Sequence, residues 1–150
     1  MEGYRGHHVG RVVGGGGGIS VYCCDKLYSR KVDRLSFVSD FIELCVAEVR
    51  SHQRTLFIVA IYRPPSGNFD LFCGSIMEML NDPLLLNREI FITGDLNIDL
   101  LKYESSDASS TSFVHNMYSL SFVPYITNPT RFPSGGQNGN PAILDHTYLV

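Results

Sequence analysis

The run Thr55-Leu56-Phe57-Ile58-Val59-Ala60-Ile61-Tyr62 is apolar almost throughout and stops abruptly at Pro64-Pro65-Ser66-Gly67. A strand with one face in water alternates apolar and polar residues, whereas a near-continuous run is covered on both faces. The prolines cannot donate to a ladder, so the strand ends where they begin. A chain containing such a strand must place other elements on each side of its sheet, which excludes a helical bundle. With 150 residues there is room for one domain of that kind and no more.

The flanking segments supply the layers. Ile19–Cys23 alternates as a strand, and Phe41–Val49 is rich in β-branched and apolar residues and predicts another. The polar stretch Asp25–Ser36 between them reads as a connection. Phe69, Phe72, Ile76, Met79 and Leu80 fall at spacings of three and four, predicting a helix from about Asn68 that closes at Pro83. Glu89–Thr93 predicts a short strand running into Gly94-Asp95-Leu96-Asn97. Ser105–Ser112 reads as a Ser-rich loop offering an N-cap to a second amphipathic helix marked by Phe113, Met117 and Leu120. Phe122–Thr127 reads as a short strand, Pro129–Asn140 as a long loop and Ile143–Val150 as a final strand. Interleaved strands and helices indicate an α+β fold with α/β-type layering. Residues 1–18, with Gly3, Gly6, Gly10 and the run Gly14–Gly18, read as a flexible Gly-rich lead-in, leaving 19–150 as the domain.

Charge narrows the function classes. Twelve Lys and Arg oppose fifteen Asp and Glu for a net charge of −3, which excludes a polybasic nucleic-acid coat or an acidic tail protein. Nucleic acid remains open as a substrate, because a bound divalent cation supplies local positive charge. No apolar run approaches the ~20 residues that a bilayer requires, and no apolar stretch follows a basic N-terminus as in a signal peptide. Cys23, Cys24, Cys45 and Cys73 contain no CxxC pair and read as reduced packing residues.

Three motifs carry chemistry. Gly94-Asp95-Leu96-Asn97 delivers an Asp and an Asn two residues apart at a strand's carboxyl end, where α/β sheets bind ligands. Such an Asp can serve as a general base on water, with the Asn orienting the water or a phosphoryl oxygen; taken alone, the motif reads first as an Asx-turn that ends a strand. Tyr62-Arg63-Pro64-Pro65 offers a hydroxyl donor and a guanidinium to a phosphate, or merely caps a strand. Thr127-Asn128-Pro129-Thr130-Arg131 precedes a strand in which Asp145 and His146 point to opposite faces. Placed near Asp95, Asp145 would complete a phosphodiesterase site; alone, it reads as an exposed edge residue. Gly14–Gly18 is no phosphate loop, because no Lys-Ser/Thr and no helix follow it. Asp99, Glu43 and Glu48 read as solvated-face or turn residues, and His7-His8 as an exposed pair.

The order of these motifs, a Gly run entering a strand, then YRPP, GDLN, a TR loop and LDH, resembles the endonuclease/exonuclease/phosphatase superfamily. It is most similar to the apurinic-type endonuclease domain of LINE-like (non-LTR) retrotransposons, over residues 14–150. The resemblance implies an incomplete four-layer α/β/β/α sandwich. It implies Asp95 as general base or water orienter, Asn97 and Tyr62 on the scissile phosphate, and Asp145 as the carboxylate that orients a histidine. Arg63, Thr130 and Arg131 would line a DNA-facing rim. It further implies Mg²⁺ as cofactor, DNA as partner, a nuclear setting and a reverse transcriptase domain downstream.

The family's Asn-bearing first strand, its metal-binding Glu and its final Ser-Asp-His motif have no counterpart in this sequence. The expectation is therefore a fragment that lacks both ends of the domain, has no metal ligands of its own and is inactive, with exposed apolar sheet faces. The alternatives are a non-catalytic nucleic-acid-binding remnant, or a member of the superfamily directed at phosphoinositides or RNA.

Overall fold

The computed structural model describes residues 2–11, 17–52, 54–103, 107–132 and 140–150. Most of the Gly run (12–16), part of the Ser-rich loop (104–106) and the loop residues 133–139 lie outside them. Among the described residues the strands are β1 (Tyr4–Gly10), β2 (Gly18–Cys24), β3 (Tyr28–Lys31), β4 (Phe37–Val38), β5 (Glu43–Ser51) and β6 (Arg54–Tyr62). Helix α1 (Phe69–Leu80), β7 (Glu89–Asp95), α2 (Ala108–Ser119), β8 (Val123–Pro124) and β9 (Asp145–Leu149) follow.

One mixed sheet carries the order β3-β5-β6-β7-β9-β8, with β4 also on the edge of β5. Only β6 and β7 run parallel; the other pairs are antiparallel. Helix α1 is the crossover between the two parallel strands, as their geometry demands. Asn68 caps it by accepting from Leu71 N at 3.0 Å. Its apolar stripe, with Phe72, Ile76 and Met79, joins Phe113 and Met117 of α2 over Leu44, Val46, Val59, Ile61 and Ile92. The opposite face of β5 and β6 is covered by the β1–β2 hairpin, with Val21 and Cys23 packed on Cys45, Ala47, Val49 and Ala60. β6 is thus covered on both sides, as its sequence requires. The molecule has a helical layer, a sheet and a second, two-stranded β layer. All four cysteines are free.

Five expectations need correction. Residues 4–10 are not a loop: β1 pairs with β2 from Tyr4↔Cys24 to Gly10↔Gly18. His7 is not exposed: it is buried and pins the hairpin to β3, its Nε2 lying 2.9 Å from Ser29 Oγ. The connection Asp25–Ser36 contains β3, which pairs with the far end of β5. The Ser-rich stretch is helical from Ala108, because Asp107 supplies the N-cap through Ser109 N at 3.1 Å. Glu43 and Glu48 are not solvated; they are 2% and 3% exposed. Glu48 is held by Arg30 and Arg50. Burial pushes its carboxyl up, but the hydrogen bonds from Arg50 and Arg30 outweigh that and hold it below the usual range.

Candidate active site

The parallel pairing of β6 and β7 sets Tyr62 beside Asp95, and the antiparallel pairing of β7 and β9 sets Asp95 beside Asp145. Residues that are register partners point to the same face. Tyr62, Asp95 and Asp145, drawn from three separate motifs, therefore form one polar row across three strands. The row lies at the carboxyl ends of β6 and β7, on the face that carries the hairpin. His146 points the other way and is buried, 3.0 Å from the Tyr148 hydroxyl and 2.8 Å from the Ile98 carbonyl.

Local geometry explains how the sequence makes this row. Gly94 has φ +149°, and a Cβ there would meet the Ile61 carbonyl oxygen at 1.7 Å. Only glycine lets β7 approach β6 closely at this point. The chain then turns: Asn97 N donates to Asp95 Oδ1 at 3.1 Å, and Asn97 takes a positive φ of 49°. Its Nδ2 donates to the Arg63 carbonyl at 2.8 Å, which orients the amide and ties the two strand ends together.

Arg63 does the reciprocal work. Its Nε and Nη2 donate to the carbonyls of Leu96 and Asn97, each at 2.8 Å, and Nη1 donates to that of Gly67 at 3.2 Å. Its guanidinium lies over the rings of Phe69 and Phe72. Arg63 is 9% exposed and braces the loop, instead of standing on an open rim. Thr130 is also a brace, with Oγ1 accepting from both Leu144 N and Asp145 N at 3.2 Å. Arg131 is exposed and close enough to Asp95 to stabilise its charge. Beside Asn97 opens a cavity of about 560 Å³ whose lining includes Arg63, Asp99, Lys102, Asp107 and Arg131.

Burial pushes the Asp95 carboxyl above its ordinary value, and Asp145 adds to that. The Asn97 amide, Arg131 and Arg63 act in the other direction without cancelling it. A carboxylate raised in this way is a better proton acceptor than a solvated one. Among the described residues, no group of three or more His, Cys, Asp or Glu side chains is placed to hold a metal ion.

Sequence reasoning missed one member of the row. Glu43 of β5 is the register partner of Tyr62, and it is ion-paired with Arg11. The signal was there: Glu43 shares its strand parity with Cys45, Ala47 and Val49, so it belongs to a covered face.

No protein-family model matches this sequence, and no curated protein matches it. Solved structures match it in fold. The endonuclease domain of TRAS1, a telomere-specific non-LTR retrotransposon, aligns with a TM-score of 0.76 at 17% identity, over 99% of this chain and 67% of that one. A mannosyl-6-phosphatase of Bacteroides thetaiotaomicron gives 0.59 at 15% identity, over 99% and 63%. The human nocturnin catalytic domain with bound sulfate gives 0.60 at 14% identity, over 98% and 60%. The chain thus spans between 60% and 67% of the length of these three structures. A further match, at TM-score 0.66 and 12% identity over 99% of this chain, is an endonuclease/exonuclease/phosphatase family protein of Leptotrichia buccalis.

Proposed function

From the endonuclease/exonuclease/phosphatase fold that it adopts, we propose that this chain is the phosphate-recognising portion of a nucleic-acid endonuclease acting on DNA. The observation that carries the reading is the row Tyr62–Asp95–Asp145, with Asn97 held beside it. In this reading the Tyr62 hydroxyl donates to a non-bridging phosphate oxygen. Asp95, made more basic by burial, takes a proton from an attacking water that Asn97 orients. Asp145 and the exposed Arg131 flank the same position, the one orienting a proton-transfer partner and the other contacting the backbone.

Mg²⁺ is the cofactor such chemistry would use, as a Lewis acid on the phosphate. Among the described residues no group of three or more acidic, imidazole or thiol side chains is gathered for it; Asp95 and Asp145, register partners at the end of the sheet, are the two carboxylates that would face it. The motifs matched here are those for phosphate recognition, and the family's metal-binding Glu and final Ser-Asp-His are not matched, so the expected outcome is binding without turnover. A fluorescein-labelled duplex should be bound in a salt-sensitive manner by anisotropy, while the same protein leaves supercoiled plasmid un-nicked in Mg²⁺. Failure to bind DNA at low salt would overturn the reading. Nicking that disappears in Asp95→Asn would overturn only the claim of inactivity.

A further inference from the structure

Arg11 and Glu43 extend the polar row by one strand. Glu43 is 2% exposed and lies opposite Tyr62 in the β5–β6 ladder, so Glu43, Tyr62, Asp95 and Asp145 occupy one line across four strands. Arg11 Nε donates to Glu43 Oε1 at 2.6 Å, and Nη2 pairs with the same oxygen. The Arg11 side chain is 37% exposed. Its Nη1 has no hydrogen-bond partner among the described residues. The guanidinium rests against the backbone of Gly17, where a Cβ would lie 3.0 Å from Arg11 Cζ and Nε, and where φ is +108°.

A buried carboxylate is a costly way to fill a sheet face, and apolar replacement of a buried ion pair is often neutral or stabilising. What this pair achieves is to fix an arginine's orientation while leaving its outer edge in water. Two inter-strand steps of about 4.8 Å separate Glu43 from Asp95. A guanidinium held on Glu43 therefore stands beside the Tyr62–Asp95 position along the row, where a neighbouring phosphodiester of the same backbone would pass. We infer that Arg11 binds the phosphodiester next to the one held at Tyr62 and Asp95, and that Glu43 is its positioning residue. The inference rests on the DNA-binding reading above and adds a contact to it.

The test uses the double variant Arg11→Met with Glu43→Gln, which removes both charges, leaves no orphaned buried carboxylate and keeps the net charge unchanged. General electrostatics then predicts no change in DNA binding. Loss of one phosphate contact predicts a slope of log affinity against log salt that is shallower by about 0.9, with weaker binding at low salt. Arg11→Lys, which keeps the charge but loses the two-pronged grip on Glu43, should keep most of the slope while binding less tightly. An unchanged slope and affinity in the double variant, with wild-type protein binding normally and circular dichroism showing both folded, overturns this inference alone. Wild-type protein that binds no DNA overturns the endonuclease reading, and this inference with it.

Discussion

Asp95 illustrates how a half-buried carboxylate works against the fold around it. Its carboxyl is raised by burial and by Asp145. A group whose native value lies above its unfolded one stabilises the fold only while protonated, and that contribution is lost as pH rises through the native value. Ionisation of this side chain is therefore destabilising. Asp95→Asn keeps the acceptor for Asn97 N and removes the charge, so it should raise the melting temperature by a few degrees, on the scale of about 2–4 °C per kcal/mol. Calorimetry checks this; a lower melting temperature would contradict it.

The two buried histidines act in the opposite sense. Burial pushes both His7 and His146 below the ordinary 6.5, with Arg5 and Lys31 adding to the effect at His7. The unfolded chain then takes up protons first. Their stabilisation is complete above pH 6.5 and falls as pH drops through the lowered native values. Urea midpoints should decline between pH 7.5 and 5.5, and His146→Phe should flatten part of that slope. The chemical identity of Tyr62, Asp95, Asn97 and Asp145 as candidates was legible in the sequence. The burial of Arg63 and Glu43 was not, because it depends on which neighbours the topology brings over them.

At the scale of elements, the amphipathic stripe of α1 and the two-sided apolar run of β6 announce themselves, since burial there follows a period that the chain itself displays. β1 carries no such pattern. Only His7 of Tyr4–Gly10 is fully buried, and the strand exists because β2 offers it a ladder and β5 a surface. The same dependence on neighbours makes the β6–β7 junction brittle. With the Ile61 carbonyl 1.7 Å from where a Cβ would be, Gly94→Ala must force the parallel strands apart beside the polar row. We expect a loss of more than about 3 kcal/mol in chemical unfolding, together with loss of DNA binding. Substitution at Gly74, which has open space around it, should leave the strand junction unaffected.

For the molecule as a whole, the hairpin covers β5 and β6 and stops there. Beyond it the same sheet face continues over β7, β9 and β8 with Val123, Tyr125 and Leu149 at 59%, 80% and 52% exposure. Exposed apolar side chains gathered at one sheet edge favour association. Analytical ultracentrifugation should find concentration-dependent self-association, which Leu149→Lys reduces with little change in melting temperature. An unaltered association state in that variant would place the contact elsewhere. Sheet order also has a consequence for how the protein is made. β9 lies between β7 and β8, although β7 and β8 both precede it in the chain. On the ribosome, β7 must wait with a bare edge until residues 145–149 clear the exit tunnel, and Asp145 reaches Asp95 only then. Until β9 inserts, β7 and β8 present open edges and the polar row lacks Asp145.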